Sequence, residues 1–129
     1  MRKFRVFVLF ITVLILSCSI EEEEVIANSE AELNNACTAE NPLELEWMQD
    51  LIAEMECGKY SCKVSILKST YEGKQVYYIQ MTDPLCIGFD EIVLYDCYGE
   101  EVKEFTMEES RNFVNAPDRE TEEIFSCNE

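Results

Sequence analysis

Cysteine is the residue type in this chain with the clearest chemical potential. Six of the seven cysteines lie in its C-terminal three quarters: Cys37, Cys57, Cys62, Cys86, Cys97 and Cys127. An even number of cysteines in a small exported domain is typical of disulfide bonds, so we predict three bridges. The sequence leaves the pairing open. We favour Cys86–Cys97 as one pair, because these two residues bracket a predicted strand.

A metal site is the alternative use of these cysteines. Zinc sites in proteins usually combine closely spaced cysteine pairs with histidine. This chain has no C-x-x-C pair and no histidine. We therefore predict neither a metal nor a cofactor.

The other side chains give no recognisable catalytic motif. Without histidine, the commonest general base is missing. A serine nucleophile would need a lysine base, and neither Ser61 nor Ser69 lies in a known motif beside a lysine. The four glycines are spread over predicted turns and form no phosphate-binding loop. We therefore predict no catalytic residue.

Carboxylates remain as a chemical resource. Asp83, Asp90 and Glu91 flank a loop, and their oxygens could gather around Ca²⁺, although the spacing of known calcium loops is absent. A solvated acidic loop is the favoured interpretation. A glycosidase would need two carboxylates placed in a cleft, and the sequence offers many pairs without selecting one.

The first 17 residues have the pattern of a secretory signal peptide. Arg2, Lys3 and Arg5 precede the uncharged run 6–16, which is too short to span a bilayer as a helix. The residues that end this run, Ile-Leu-Ser followed by Cys18, resemble a bacterial lipobox. The resemblance implies cleavage before Cys18, acylation of its sulfur and a membrane anchor through that lipid. An ordinary signal peptide with an unrelated cysteine is the alternative.

An acidic segment follows the predicted lipid anchor. Residues 18–36 contain no lysine or arginine and include Glu21, Glu22, Glu23 and Glu24 in a row. Such a segment repels itself and buries no apolar area, which predicts a disordered tether. The four glutamates resemble the surface-export signal of Bacteroidota lipoproteins, which implies an outer-membrane protein exposed on the cell surface. A plain spacer is the alternative.

The net charge restricts the partners. Loss of the three basic residues in the signal peptide leaves seven basic residues against 27 acidic ones, so the formal charge changes from −17 to −20. So acidic a chain is unsuited to nucleic acid and to anionic lipid headgroups. A protein or glycan partner outside the cell remains compatible with it.

The periodicity of residues 37–129 predicts a small disulfide-stabilised α+β domain. Asn41-Pro42 starts an amphipathic helix, with Leu43, Trp47, Met48, Leu51, Ile52 and Met55 on its apolar face and Gly58 as its stop. Strands over 63–69, 75–81, 91–97 and 102–105 follow, joined by short turns, which indicates a four-stranded antiparallel meander. A capping box of Thr106 and Glu109 predicts a short C-terminal helix over 107–114.

Three stretches of this domain are similar to a family of small Bacteroidota lipoproteins of unknown function. They are "ENPLELEWMQDLI", "YEGKQVYYIQ" and "IVLYDCYGEEVKEF", in the order in which the family has them. Members often have further cysteines near positions 89 and 103, where this chain has Phe89 and Lys103. The resemblance implies a fold and a location, and it brings no activity with it.

Tyrosines dominate the predicted strands. Tyr77 and Tyr78 are neighbours, so one ring must point to each face of the sheet. If one helix covers only one face, some rings lie on the open face, and exposed tyrosine is enriched at binding hot spots. We therefore predict a binding face formed by Tyr71, Tyr77, Tyr78 and Tyr95.

Two functions are compatible with these observations. The favoured one is a surface-tethered, non-catalytic binding or structural lipoprotein. The alternative is a small hydrolase that uses carboxylates and acts on glycans. A flat face without a pocket would favour the first, and a deep pocket with two close carboxylates the second.

Overall fold

A computed structural model of the chain describes residues 33–59, 61–86 and 91–127. In these ranges it contains two α-helices and five strands. The helices are α1 (Glu46–Glu54) and α2 (Met107–Val114), and the strands are β1 (Val64–Tyr71), β2 (Lys74–Met81), β3 (Val93–Tyr95), β4 (Glu101–Glu104) and β5 (Thr121–Cys127). The predicted α+β class is confirmed.

The strands form one antiparallel sheet in the order β4-β3-β2-β1-β5. Strands β1 to β4 are the predicted meander, and β2, which was predicted to be central, is the middle strand. The predicted number of four strands is wrong, because β5 pairs with β1 from Val64↔Cys127 to Ser69↔Thr121. As a result β1 is an interior strand, and Ser65, expected on a half-exposed face, is fully buried.

A β-bulge explains why β5 has no clear strand pattern in the sequence. Ile66 pairs with Phe125 while its neighbour Leu67 pairs with Glu123, so Ile124 is an extra residue. Ile124 and Phe125 consequently both pack against the same core cluster. A bulge of this kind interrupts the alternation of faces on which strand prediction depends.

The β1–β2 hairpin is set by its turn. Tyr71 pairs with Lys74, which leaves Glu72 and Gly73 as a two-residue loop. Both loop residues have positive φ, 50° at Glu72 and 76° at Gly73. This is the loop geometry whose twist matches that of the flanking strands. The turn predicted at Glu72-Gly73 is therefore confirmed.

The first helix starts later than predicted. Asn41 caps a 3-10 turn over Pro42–Glu44 by accepting a hydrogen bond from the Leu43 N–H, and Leu45 is extended before α1 begins. In a continuous helix, Leu43 and Leu45 would point about 200° apart. The extended residue allows both leucines to pack against the same core cluster.

Two hydrophobic clusters lie on opposite faces of the sheet. Met48 and Leu51 of α1, and Met55 directly after it, pack with Ile66 and Tyr77. Across the sheet, Phe113 and Val114 of α2 pack against the cluster formed by Leu67, Val76, Tyr78, Ile92, Leu94 and Phe105. Because adjacent strand residues point to opposite faces, Tyr77 belongs to one cluster and Tyr78 to the other. Each face of the sheet is thus covered by one helix.

Helix α2 is held at both its start and its middle. The predicted capping box is present: Thr106 accepts from the Glu109 N–H, and the Glu109 carboxylate accepts from the Thr106 N–H. The buried hydroxyl of Ser110 accepts a hydrogen bond from the Ile92 N–H at 2.9 Å, which fixes the helix beside β3. The short C-terminal helix predicted over 107–114 is confirmed.

Candidate functional site

A groove of about 410 Å³ lies on the α1 side of the sheet. We call it the Lys68 groove, after the residue at its floor. Its lining is mostly polar and includes Lys68, Gln75, Tyr77, Glu122 and the chain segment from Ala36 to Leu43. A second depression of about 320 Å³ shares Lys68, Gln75 and Glu122 with it and adds Ser69, Thr70, Glu120 and Thr121.

The floor of the groove comes from three adjacent strands. Lys68 of β1 lies opposite Tyr77 of β2 and opposite Glu122 of β5. Its ammonium group contacts the Glu122 carboxylate at 3.0 Å. The Gln75 amide donates to the Tyr77 hydroxyl at 2.6 Å. Because these side chains belong to paired strands, the sheet register fixes their spacing.

One wall of the groove is attached to the sheet by three bonds. The Tyr77 hydroxyl donates to the Ala36 carbonyl at 3.1 Å, and the Ala36 N–H donates to the Cys97 carbonyl at 2.7 Å. A disulfide joins Cys37 to Cys97. The segment before α1 therefore lies against the β3–β4 turn as a fixed wall.

The β3–β4 turn meets the first helix at Trp47. The Asp96 carboxylate accepts from the N–H groups of Tyr98 and Glu100, which closes the turn. Gly99 then lies against Trp47, and a Cβ built on it would be 2.5 Å from the indole ring. Trp47 also packs edge-on against Tyr77, with the two ring centroids 5.6 Å apart. Residues from all three stretches that carry the family resemblance thus meet beside the groove.

The tyrosines do not form the predicted exposed face. Tyr77 and Tyr78 are 1% and 0% exposed, and Tyr71 and Tyr95 are half-buried. The prediction of an open face assumed that a single helix covers the sheet, whereas α2 covers the second face. Burial raises the pKa of Tyr77 and of Tyr78, so both rings remain neutral phenols.

The described residues contain three disulfides: Cys37–Cys97, Cys57–Cys127 and Cys62–Cys86. The predicted number of bridges is confirmed, and the favoured pair Cys86–Cys97 is wrong. Cys62 precedes β1 and Cys86 follows β2, and the antiparallel register places those two strand ends side by side. Cys97 lies beyond the opposite end of the sheet, after β3, where Cys37 is docked.

Among the described residues, three carboxylates have lowered pKa values. The Ser65 hydroxyl, which bonds Glu123 at 2.7 Å, and then Lys63 lower the pKa of Glu123. Backbone N–H groups of Leu85 and Lys63 lower the pKa of Asp83, and bonds from Thr106 lower that of Glu109. A carboxyl that acts as a general acid needs the opposite shift.

The predicted calcium loop is only partly described. Asp90 lies outside the described residues, and Glu91 is exposed at the edge of the gap. Each oxygen of Asp83 already accepts a backbone N–H, from Lys63 at 3.1 Å and from Leu85 at 2.9 Å. In the described part of the chain, the donor atoms that do converge are those of Cys62, Asp83 and Cys86, all within 4.8 Å of one another.

Ser69 and the lysines Lys63 and Lys68 have partners other than a catalytic neighbour. Ser69 is buried and donates to the Glu120 carbonyl at 2.7 Å. Lys63 contacts Glu123 at 3.2 Å. Lys68 is paired with Glu122 in the same way.

The predicted lipid anchor Cys18 and the glutamates 21–24 lie outside the described residues. Within the ranges that are described, none of the helices has the length and hydropathy needed to cross a membrane. Of the residues that line the Lys68 groove, only Tyr77 was predicted from the sequence to take part in binding. Only the alternation of β1 and β2 indicated that Lys68 and Gln75 project from strands.

No protein-family model, no curated protein and no solved structure matches this chain.

Proposed function

We propose that this protein is a lipid-anchored, surface-exposed binding module without catalytic activity, and that its partner occupies the Lys68 groove. The observation that carries the proposal is the construction of the groove. Its floor belongs to three paired strands, and its wall is bonded to the sheet through Ala36 and Cys37. A rigid surface of this kind loses little conformational entropy when a partner binds.

The charge of the groove indicates the chemistry of the partner. Glu40 and Glu122 are acidic residues of the lining, and Lys68 is its basic residue. Lys68 is already paired with Glu122, so the groove presents an excess of negative charge. A protein segment with basic or neutral polar side chains complements this surface.

A carboxylate hydrolase is the competing proposal. It requires a carboxylic acid whose pKa is raised so that it can protonate a leaving group. The pKa shifts of Asp83, Glu109 and Glu123 are all downward, which is the wrong direction for such an acid. The lining of the groove is mostly polar, and the Tyr77 ring beside it is buried.

A pair of charge reversals tests the groove. Glu40→Arg and Glu108→Arg make the same change of charge, one in the groove lining and the other on the exposed surface of α2. The folded, disulfide-intact chain is immobilised and exposed to solubilised envelope and host-surface proteins. We expect a partner that the wild type and Glu108→Arg retain and that Glu40→Arg loses. If both variants retain the partner equally, the partner does not bind in the Lys68 groove and this part of the proposal is wrong.

The anchor is tested by labelling and by protease access. Palmitate should label the wild type and should not label Cys18→Ala. Replacing Glu21–Glu24 with alanine should preserve labelling and protect the protein from protease added to whole cells, whereas Glu30→Ala with Glu32→Ala should leave it exposed. If the four substitutions leave the protease sensitivity unchanged, the acidic run is a spacer and not an export signal.

Activity is tested directly on the full chain. We expect no hydrolysis of glycoside, ester or peptide substrates. Turnover that survives repurification and disappears on substitution of one carboxylate would contradict the proposal.

A further inference from the structure

Three potential metal ligands meet at the open end of the β1–β2 hairpin. The sulfurs of Cys62 and Cys86 and a carboxylate oxygen of Asp83 all lie within 4.8 Å of one another. All three residues are half-buried. In the oxidised protein the two sulfurs are joined as a disulfide and cannot bind a metal as thiolates.

The carboxylate of Asp83 is held in position by the backbone. Its Oδ2 accepts from the Lys63 N–H and its Oδ1 accepts from the Leu85 N–H. A carboxylate oxygen has two lone pairs, so each oxygen retains one for another bond. Hydrogen bonds of this kind are the outer contacts that orient a metal-binding carboxylate.

The hairpin itself does not depend on the Cys62–Cys86 bridge. Eight residue pairs, from Val64↔Met81 to Tyr71↔Lys74, already hold β1 to β2, and the Thr82 N–H donates to the Lys63 carbonyl at 3.0 Å beyond them. The bridge closes a loop of 24 residues, compared with 60 and 70 for the other two. In the chain-entropy model, the shortest loop contributes least to stability.

We propose that reduction of the Cys62–Cys86 disulfide creates a zinc site made of these two cysteines and Asp83. The reductant is a low-molecular-weight thiol. Two thiol molecules reduce the bridge to two protein thiols and are themselves joined as a disulfide. Zn²⁺ then displaces one proton from each protein thiol and binds two thiolates, the Asp83 carboxylate and a water molecule. This inference is independent of the proposed binding function.

The donor set favours zinc. Two thiolates and one carboxylate are ligands that Zn²⁺ accepts in tetrahedral geometry, with the fourth position open to water. Calcium and magnesium require six or more oxygen ligands and bind thiolates poorly. Of the cysteine pairs in the described ranges, only this one has a carboxylate oxygen within the same radius.

Stepwise reduction of the full chain tests the site. A phosphine reductant is added in increments, and alkylation with peptide mapping identifies which bridge opens. Zinc binding is then measured in competition with a coloured chelator. We expect Cys62–Cys86 to open first, with one Zn²⁺ bound per reduced chain and none per oxidised chain. Near-ultraviolet circular dichroism should show that the tertiary fold persists.

Two aspartate variants and a cysteine variant serve as controls. Asp83→Asn should weaken zinc binding at least about tenfold, while Asp118→Asn, which removes the same charge from an exposed position, should not. Cys62→Ser with Cys86→Ser should abolish binding. The proposal is overturned if the reduced wild type binds no zinc, if the two aspartate variants bind equally, if the cysteine variant still binds, or if opening the bridge unfolds the chain.

Discussion

At Gly99 the backbone touches the Trp47 indole with no room for a side chain. The residue has φ of 82°, a conformation that glycine adopts without strain, and its missing Cβ would lie 2.5 Å from two indole carbons. The contact joins the β3–β4 turn to α1 beside the Lys68 groove. Glycine is therefore required here for two separate reasons, conformation and space.

Alanine substitutions at Gly99 and at Gly58 separate the effect of conformation from the effect of space. Gly99→Ala should lower the free energy of unfolding by about 3 kcal/mol, because it combines a strained φ with overpacking against Trp47. Gly58→Ala is the control: Gly58 has φ of 88° and nothing within 4 Å of its added Cβ. Gly58→Ala should lower the free energy of unfolding by only about 1 kcal/mol. Urea denaturation measures both, and equal losses would show that the indole contact carries no cost.

Glu123 should make the stability sensitive to acid. Hydrogen bonds from Ser65 and then Lys63 lower its pKa in the folded state from the usual value of 4.5. Ionised Glu123 therefore stabilises the fold above the unfolded pKa, and this contribution is lost as the pH falls through the folded pKa. Glu123→Gln should flatten the decline of stability between about pH 5 and pH 3. Glu104→Gln is the control for removing one exposed carboxylate, and an identical slope in wild type and Glu123→Gln would contradict the prediction.

Both edge strands of the sheet carry several charged side chains. Strand β4 has Glu101, Lys103 and Glu104, and β5 has Glu122 and Glu123. Charged side chains on edge strands discourage pairing with another chain. These charges therefore disfavour extension of the sheet at either edge.

The first residue of the β1–β2 turn differs from the one that this turn type prefers. The loop has positive φ at both residues, and Glu72 occupies a position where asparagine is preferred. Glu72→Asn should therefore raise the free energy of unfolding by about 0.5 kcal/mol. Gly73→Ala should lower it, because φ at Gly73 is 76°. Thermal unfolding of the two variants measures both effects, and destabilisation by Glu72→Asn would argue against this turn geometry.

The disulfides act at the scale of the whole molecule. Cys57–Cys127 joins the end of the α1 region to the last residue of β5, and Cys37–Cys97 joins the groove wall to the β3–β4 turn. Both connect elements that are distant in sequence. Cys62–Cys86 closes only the hairpin end.

Removing each bridge should reveal this difference. In the chain-entropy model, loss of Cys62–Cys86 costs about 3.5 kcal/mol and loss of Cys57–Cys127 about 4.4 kcal/mol. Paired Cys→Ser variants should therefore unfold at a lower urea concentration for Cys57–Cys127 than for Cys62–Cys86. Peptide mapping without reductant should first recover the three pairs in the wild type. Recovery of a Cys86–Cys97 peptide would contradict the fold itself.

The amino-acid sequence by itself determined the features that depend on neighbouring residues. Glu72-Gly73 specifies its turn through local backbone geometry, and Thr106 with Glu109 specifies the start of α2 through two hydrogen bonds within one turn of helix. The number of bridges followed from an even cysteine count in the domain. These interactions span a few residues, so their signal is contained in short stretches.

Only the tertiary structure decided the features that join distant parts of the chain. The bulge at Ile124 interrupts the alternation by which β5 could have been recognised in the sequence. Without β5, the sequence could not place Glu122 beside Lys68. Antiparallel pairing of β1 with β2 brought Cys62 to Cys86 and Asp83, and docking of Ala36 on the β3–β4 turn brought Cys37 to Cys97. The cysteine pairs are 60, 70 and 24 positions apart, and Lys68 and Glu122 of the groove are 54 apart. Such contacts depend on how whole elements pack, which no short stretch of sequence records.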